Sequence, residues 1–318
     1  MTRVKLKTRN VIIAVGCIAV LVVAGIGAFK WKQKADYQKT YEYKLQKQGY
    51  SKEDTDYLIG KLEDSELDKL LTEEVNENLT KIMKEKYYLK KNHDKYLNYS
   101  KTNPDKSLED VIAIINVGAD KEWYTDYVDT DVEKGNLMLT NKFHRLTESY
   151  NPEDLEEVKN WYAYGNEPKL RKEAYQQFIS MYNAAKKDGQ DIIINSSYRD
   201  YKYQEKLYNQ YLRDFGQTET DAIAAKPGFS EHQTGFTVDV TTYGANNDTF
   251  ETTEEFTWLQ NHAHEYGFIL RYPKGKEYIT GYNYESWHYR YIGVEAATEV
   301  YEKNITFDEY YAYFIEGE

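Results

Sequence analysis

One fifteen-residue stretch, GFSEHQTGFTVDVTT at positions 228–242, constrains the fold of this chain more than any other. His232 and Asp239 stand seven residues apart, a separation that would span about 23 Å in a straight strand. Two side chains that bind one zinc ion must both place their donor atoms about 2.0–2.2 Å from it. If both residues bind one metal, the chain must turn back between them, and Gly235 permits such a turn.

Asp239 lies in a short apolar run that is typical of a strand. Val238 and Val240 flank it, so its carboxylate points away from the face that the valines bury. An aspartate inside a strand is disfavoured unless it has a partner or a task. The stretch is therefore either an ordinary turn before a strand, with a structural His-Asp pair, or part of a binding site.

A third ligand is available in the segment YESWHYRYIG, where His288 follows Glu285 by three residues. Two histidines, one carboxylate and an open position describe a catalytic zinc site, and a nearby free glutamate suits a general base. Glu285 and His288 would face opposite ways in a regular strand, so the chain must bend near Ser286 for both to reach one site. Alternatively, His288 is a buried core histidine. His262 and His264 form a rival pair, but two residues apart on a helix they lie on different sides.

The N-terminus carries a candidate membrane segment. Residues 11–29 contain no charged side chain and would span roughly 28 Å as a helix, which is close to the thickness of a bilayer core. Basic residues are denser before this segment than after it, which predicts a cytoplasmic N-terminus and export of the remainder. The alternatives are a cleaved signal peptide that ends near Ile26–Ala28 and a lipoprotein modified at Cys17.

Composition excludes several classes of function. The net charge of −12 argues against a nucleic-acid surface, and the single cysteine rules out an intrachain disulfide or a multi-cysteine zinc site. Residues 31–136 are rich in lysine and glutamate, show helix starts at Ser51, Ser65 and Ser107, and carry no reactive cluster. They predict a helical spacer.

Residues 137–318 mix helical and strand patterns without strict alternation, which predicts an α+β domain with a mainly antiparallel sheet flanked by helices. The predicted helices span 169–187, 201–215 and 256–266, and the predicted strands span 191–195, 237–240, 268–272 and 287–292. The predicted organisation is a cytoplasmic tail and transmembrane helix (1–30), a helical spacer (31–136) and a catalytic domain (137–318).

Four blocks in this last region resemble the VanY-type zinc D,D-carboxypeptidases, a family related to the VanX dipeptidases and the LdcB L,D-carboxypeptidases. The blocks are SSYRD, PGFSEHQTGFTVDV, HEYGFILRYP and ESWHYRYIG, in that order along the chain. They cover about half of the sequence. Thr237 stands where the family frequently has alanine, and no required residue is missing.

The resemblance implies a role for each matching residue. His232, Asp239 and His288 would bind one zinc ion, Glu285 would be the general base and then the proton donor, and Arg199 would polarise the scissile carbonyl. Four further residues would contact the substrate: Ser196, Gln204, Ser230 and Arg271.

The activity implied is removal of the C-terminal D-alanine from peptidoglycan stem peptides by a monomeric enzyme. It would be held outside the cytoplasmic membrane of a Gram-positive bacterium by its single N-terminal helix. The alternatives are an L,D-carboxypeptidase acting on tetrapeptide stems and a non-catalytic wall-binding module.

Overall fold

The computed structural model describes residues 29–30, 36, 41–164 and 167–316. The predicted cytoplasmic tail and nearly all of the predicted membrane segment lie outside these residues. Within the described ranges, no helix combines the length and the apolar character that a membrane span requires. The chain divides into two compact units, of which the first comprises residues up to Tyr88 together with Leu97–Thr102, and the second comprises Leu89–Tyr96 and residues from Asn103 onward.

The first unit is helical, as predicted. A helical segment at residues 41–48 precedes α1 (Lys52–Lys61), α2 (Asp64–Leu70), α3 (Leu79–Lys84) and the end of α4 (His93–Thr102). The predicted start at Ser51 is confirmed, because its hydroxyl accepts a hydrogen bond from the Asp54 amide at 3.0 Å. The next helix begins at Asp64 with Glu63 as its N-cap, rather than at Ser65. The core of this unit contains Tyr41, Leu45, Tyr50, Leu58, Leu67, Leu70 and Leu79.

Residues 103–136 belong to the second unit and not to the helical unit before it. Ser107 caps a helix, as predicted, and five successive residues at 111–115 of that helix are buried. A helix that is apolar on all sides needs neighbours on all sides. It obtains them from the C-terminal part of the chain, and the Tyr278 hydroxyl donates a hydrogen bond to Asp110. Contacts therefore group residues 103–136 with the later region, while the functional division at residue 136 stays a prediction.

The helices of the second unit flank its sheet. They are α5 (Leu108–Val117), α6 (Lys172–Lys187), α7 (Tyr201–Phe215), α8 (Gln217–Ile223), α9 (Asn247–Phe250), α10 (Glu254–His262), α11 (Glu277–Thr280), α12 (Val294–Lys303) and α13 (Phe307–Phe314). The bounds of α7 match the prediction. The predicted helix at 256–266 is α10 followed by a 3-10 turn at Ala263–Tyr266.

Two pairs of short strands accompany the main sheet. β1 (Val128–Asp129) pairs in parallel with β2 (His144–Arg145), and β3 (Leu155–Glu157) pairs antiparallel with β4 (Lys169–Arg171). Residues 169–171 were predicted to begin a helix. They form a strand instead because pairing with β3 supplies their backbone hydrogen bonds, which overrides the local helical pattern.

The main sheet has four antiparallel strands in the order β5 (Ile193–Ser196), β6 (Thr237–Thr241), β8 (His288–Tyr291) and β7 (Phe268–Leu270). The predicted antiparallel sheet is thus confirmed. β6 lies between two partners and is buried along its whole length. Its valines pack into a core with residues of α6 and the neighbouring strands, including Phe178, Ile194, Phe268 and Tyr289. The other face of β6 carries Asp239.

Candidate metal centre

His232 reaches the site from a 3-10 turn at Glu231–Thr234 that ends at Gly235. Gly235 has φ of +73°, a left-handed conformation that favours glycine. A Cβ atom at this position would lie 2.8 Å from Cγ of Arg171 and 3.0 Å from Cδ2 of Leu155. The predicted turn is present, and it brings Nε2 of His232 to 3.3 Å from Oδ1 of Asp239.

His288 joins this pair through the sheet. It lies opposite Asp239 in the register of β6 and β8, and its Nδ1 is 3.3 Å from Oδ1 of Asp239. Each of the three residues offers a ligand atom within 4.8 Å of the other two, and all three residues are buried. The structure therefore brings together the three predicted ligands.

The donor atoms are suited to a cation. Within the described residues, Nε2 of His232 and Oδ1 of Asp239 are buried and make no hydrogen bond of normal geometry. Buried polar atoms are costly unless they are satisfied, and a metal ion would satisfy both. Two imidazoles and one carboxylate with a further open position match the donor set of a catalytic zinc site. The residues present thus fit a zinc ion.

The two histidines present different nitrogen atoms to the site. Nδ1 of His232 lies 2.6 Å from the Ser197 carbonyl oxygen and donates to it, which leaves Nε2 for the metal. Burial, reinforced by the Arg199 charge, lowers the pKa of His232 to about 4, so the ring is neutral at pH 7. His288 instead turns Nδ1 toward Asp239 and Nε2 toward Glu231.

Glu285 stands next to these ligands as predicted. The chain turns at Ser286 and Trp287 before β8 begins, which is the bend that the spacing required. Oε2 of Glu285 lies 3.3 Å from Nδ1 of His288. Burial raises the pKa of Glu285, although hydrogen bonding with His288 opposes this change. A carboxylate with a raised pKa can both accept and return a proton near neutral pH.

A cavity of about 130 Å³ lies in front of these groups, and Arg199, Gln204 and Ser230 line it. The amide N–H of Arg199 donates to the His232 carbonyl at 3.2 Å. The Nε atom of Arg199 is buried and has no hydrogen-bond partner within the described residues. The Gln204 amide donates to the Ala225 carbonyl at 2.8 Å. Arg199 and two of the four predicted contact residues, Gln204 and Ser230, therefore share the cavity with Glu285.

Two predicted substrate contacts lie elsewhere. Ser196 is on β5 opposite Asp239 and does not line the cavity. Arg271 is only 1% exposed, and its guanidinium donates to Glu231 at 2.8 Å and to Asp308 at 2.6 Å. Its donors are engaged by buried carboxylates, and Arg271 is not among the residues that line the cavity. The sequence does not reveal which acidic groups neutralise a given arginine.

The rival histidines lie away from the cluster. His262 is 3.4 Å from Glu265, and His264 stacks on Tyr301 with ring centroids 3.8 Å apart. Sequence reasoning missed several cavity residues, and the aromatic runs around the ligand motifs were the available signal for most of them. Among the missed residues are Asn247, Tyr272, Tyr282 and Trp287.

Comparisons with known proteins agree with this geometry. Residues 167–294 match the family model described as VanY: D-alanyl-D-alanine carboxypeptidase. The chain is 36% identical over 188 residues to the putative carboxypeptidase YodJ of Bacillus subtilis (strain 168). The aligned region covers 55% of this chain and 66% of YodJ. A second relative is VanXYC of Enterococcus gallinarum, described as a bifunctional D-Ala-D-Ala dipeptidase and D-Ala-D-Ala carboxypeptidase. The two chains are 32% identical over 182 residues, and the aligned region covers 56% of this chain and 94% of VanXYC.

The fold is similar to the solved structure of the LdcB LD-carboxypeptidase. The TM-score is 0.56 at 34% identity, covering 59% of this chain and 91% of that one. Against the longer curated relatives the match spans between 60% and 67% of their length. It spans nearly all of VanXYC. The chain therefore belongs to the VanY family of D-alanyl-D-alanine carboxypeptidases.

Proposed function

We propose that this chain is a zinc-dependent carboxypeptidase that removes the C-terminal D-alanine from peptidoglycan stem peptides. The observation that carries the proposal is the buried cluster of His232, Asp239 and His288 beside Glu285, at the base of a cavity lined by Arg199. A zinc ion bound there would lower the pKa of a bound water to about 7 and polarise the scissile carbonyl.

Glu285 is the proton-transfer group of the proposed reaction. Its carboxylate takes a proton from the attacking water and later returns it to the nitrogen of the leaving D-alanine. The raised pKa of Glu285, caused mainly by burial, supports the first step because it makes the carboxylate a stronger base.

Arg199 supplies positive charge to the substrate oxygen. A guanidinium stays protonated at every working pH, and it stabilises negative charge that develops on the carbonyl oxygen during attack. The unpartnered Nε atom of Arg199 supports this role, since a buried donor requires an acceptor and the substrate would provide it.

The size of the cavity supports removal of one small terminal residue. The cavity, of about 130 Å³, has room beside the cluster for a small residue such as alanine. Ser230 and Gln204 line this space and are proposed to hydrogen-bond the terminal residue. Gln204 already donates to Ala225, so its Oε1 atom, which has no partner within the described ranges, is the free acceptor.

A second candidate is L,D-carboxypeptidase action on tetrapeptide stems. The likeness to the LdcB LD-carboxypeptidase favours it, whereas the VanY family description and VanXYC favour the D,D reaction. The two activities use the same catalytic groups and differ in the configuration of the residue that precedes the terminal D-alanine. A non-catalytic wall-binding module is disfavoured because the carboxylate of Glu285 lies beside the cluster without belonging to its three-residue donor set.

The decisive experiment incubates the purified full chain with two peptides. One is a pentapeptide stem ending in D-Ala-D-Ala, and the other is a tetrapeptide stem ending in a single D-alanine. We expect D-alanine release from the pentapeptide, no release in the presence of a chelator, and recovery when zinc is added. Release from the tetrapeptide alone would assign the second candidate, and release from neither peptide would reject both.

We also propose a cellular location, an oligomeric state and a metal content for the enzyme. Residues 11–29 would anchor it to the cytoplasmic membrane as a monomer with one zinc ion, and the catalytic region would lie outside the cell. Membrane fractionation and protease treatment of intact cells test this arrangement. We expect the chain in the membrane fraction, with the catalytic region cleaved from outside.

A further inference from the structure

Glu231 precedes the ligand His232 and is a fully buried carboxylate held between two arginines. Its Oε1 atom accepts from Nε of Arg271 at 2.8 Å and lies 3.4 Å from Nη1 of Arg290. Glu231 is only 1% exposed, so both guanidinium groups face its carboxylate inside the protein. Glu231 therefore offers a hydrogen-bond acceptor whose partners are fixed by two ion pairs.

The second oxygen of Glu231 faces the ligand His288. Oε2 lies 3.5 Å from Nε2 of His288, and neither atom has a hydrogen-bond partner of normal geometry within the described part of the chain. The opposite ring nitrogen, Nδ1, faces Asp239 at 3.3 Å. The ring of His288 thus has Glu231 on its Nε2 side, and Asp239 and Glu285 of the metal cluster region on its Nδ1 side.

The support for Glu231 extends beyond the segment that matches the family. Both Nη atoms of Arg271 bind Asp308 of α13, and Asp308 accepts a further hydrogen bond from Asn141 at 2.7 Å. Arg290 donates to the carbonyl oxygens of residues 136 and 138 at 3.0 and 2.9 Å. Residues 136–141 and α13 lie outside the matched range 167–294, so these flanking segments supply part of the charge network behind the cluster.

We propose that Glu231 is a positioning residue: it holds the Nε2–H of His288, so that Nδ1 is the nitrogen presented to the metal. Arg271 and Arg290 hold Glu231 in turn, and α13 holds Arg271 through Asp308. A carboxylate behind a metal-binding histidine fixes the ring tautomer and raises the basicity of the ligating nitrogen. The inference rests on the proposed zinc site, and it assigns Arg271 a role in this network in place of the predicted substrate contact.

The variant that tests this role is Glu231→Gln, which keeps the shape of the side chain and removes its charge. We expect zinc affinity to fall by about 10–100-fold, measured by competition with a chromophoric chelator. We also expect an altered visible absorption spectrum of the cobalt-substituted protein. The matched control is Glu309→Gln, which alters another buried ion pair on α13, between Glu309 and Lys276 at 3.2 Å. This control should change neither the affinity nor the spectrum.

A second measurement needs no variant. In the zinc-loaded wild-type chain, ¹⁵N-detected histidine spectra should show His288 protonated at Nε2 and His232 protonated at Nδ1. A His288 ring that binds zinc through Nε2 would overturn the proposal, as would a Glu231→Gln variant with unchanged affinity and spectrum.

The outcomes separate this role from the proposed reaction. If the chain binds zinc with the expected tautomers but releases no D-alanine, the positioning role stands and the reaction fails. If it releases D-alanine while Glu231→Gln binds zinc as the wild type does, the reaction stands and the positioning role fails. A wild-type chain that binds no zinc would overturn both.

Discussion

Nε2 of His232 lies 3.3 Å from Oδ1 of Asp239, although an extended chain would hold residues at this separation about 23 Å apart. The left-handed turn at Gly235 reverses the chain between them. The pairing of β6 with β8 then places His288 directly opposite Asp239. One turn and one strand pair therefore assemble the whole donor cluster, and five expected outcomes follow from this arrangement.

Gly235→Ala should destabilise the protein by about 1–3 kcal/mol, because a non-glycine residue is strained there. Its Cβ would also lie within 3.0 Å of Arg171 and Leu155. Zinc affinity should also fall, because a distorted turn would shift His232 relative to Asp239. The control is Gly189→Ala, which has φ of +85° but no neighbouring atom within 4 Å. Chemical denaturation and metal titration compare the two, and equal effects would contradict a specific role for the turn at Gly235.

Glu285→Gln should lower kcat by about 10²–10⁴-fold, the usual contribution of a general base. Zinc content should be unchanged, since the three ligands are retained. Kinetics of D-alanine release and metal analysis of the same sample check both expectations. Glu205→Gln, on the exposed side of α7, is the control and should behave as wild type. Full activity of Glu285→Gln would refute the mechanism.

The same substitution should raise the melting temperature of the chelator-treated protein at pH 7. Burial raises the pKa of Glu285 in the folded state, so the folded protein binds the proton more tightly than the unfolded chain does. The ionised carboxylate therefore costs stability above its folded pKa, and this cost disappears as the pH falls below the unfolded value of about 4.3. Thermal unfolding at pH 7 and pH 4 measures the difference. A stabilisation that is equal at both pH values would contradict this explanation.

Arg199→Met should reduce kcat/KM by about 10²–10³-fold, the typical effect of removing one group that stabilises an oxyanion. The fold should be retained, because the hydrogen bond from Arg199 to His232 uses the backbone amide. The comparison is Arg213→Met, an exposed arginine on α7. Steady-state kinetics on the pentapeptide stem compare the two variants. A similar loss of kcat/KM in both would point to a general effect of removing positive charge.

Asp308→Ala should destabilise the protein by about 3–5 kcal/mol, because it leaves the buried guanidinium of Arg271 with one partner fewer. Zinc affinity should also fall, because Arg271 would no longer be held by Asp308 and would hold Glu231 less firmly behind His288. Asp214→Ala removes an exposed carboxylate from α7 and should cost little. Urea denaturation gives the change in the free energy of unfolding, and similar values for the two variants would show that the network contributes nothing.

Local sequence patterns were enough to predict many of the helices and strands. Capping hydroxyls at Ser51 and Ser107 marked two helix starts, and the apolar period marked α6. These features depend on residues within a turn or two of each other, so the chain reports them directly. Strand β4 was missed because its state depends on pairing with β3, which no local pattern reveals.

The sequence by itself singled out the candidate residues of the site. His232, Asp239, Glu285 and His288 could be named because metal coordination restricts the residue types that can serve, and because their motifs resemble those of the VanY family. Only the tertiary structure decided how buried charges are shared. It placed Arg271 between Glu231 and Asp308. The reason is physical: a buried charge must be neutralised by whichever opposite charge the fold brings close, and its partner can lie anywhere in the sequence.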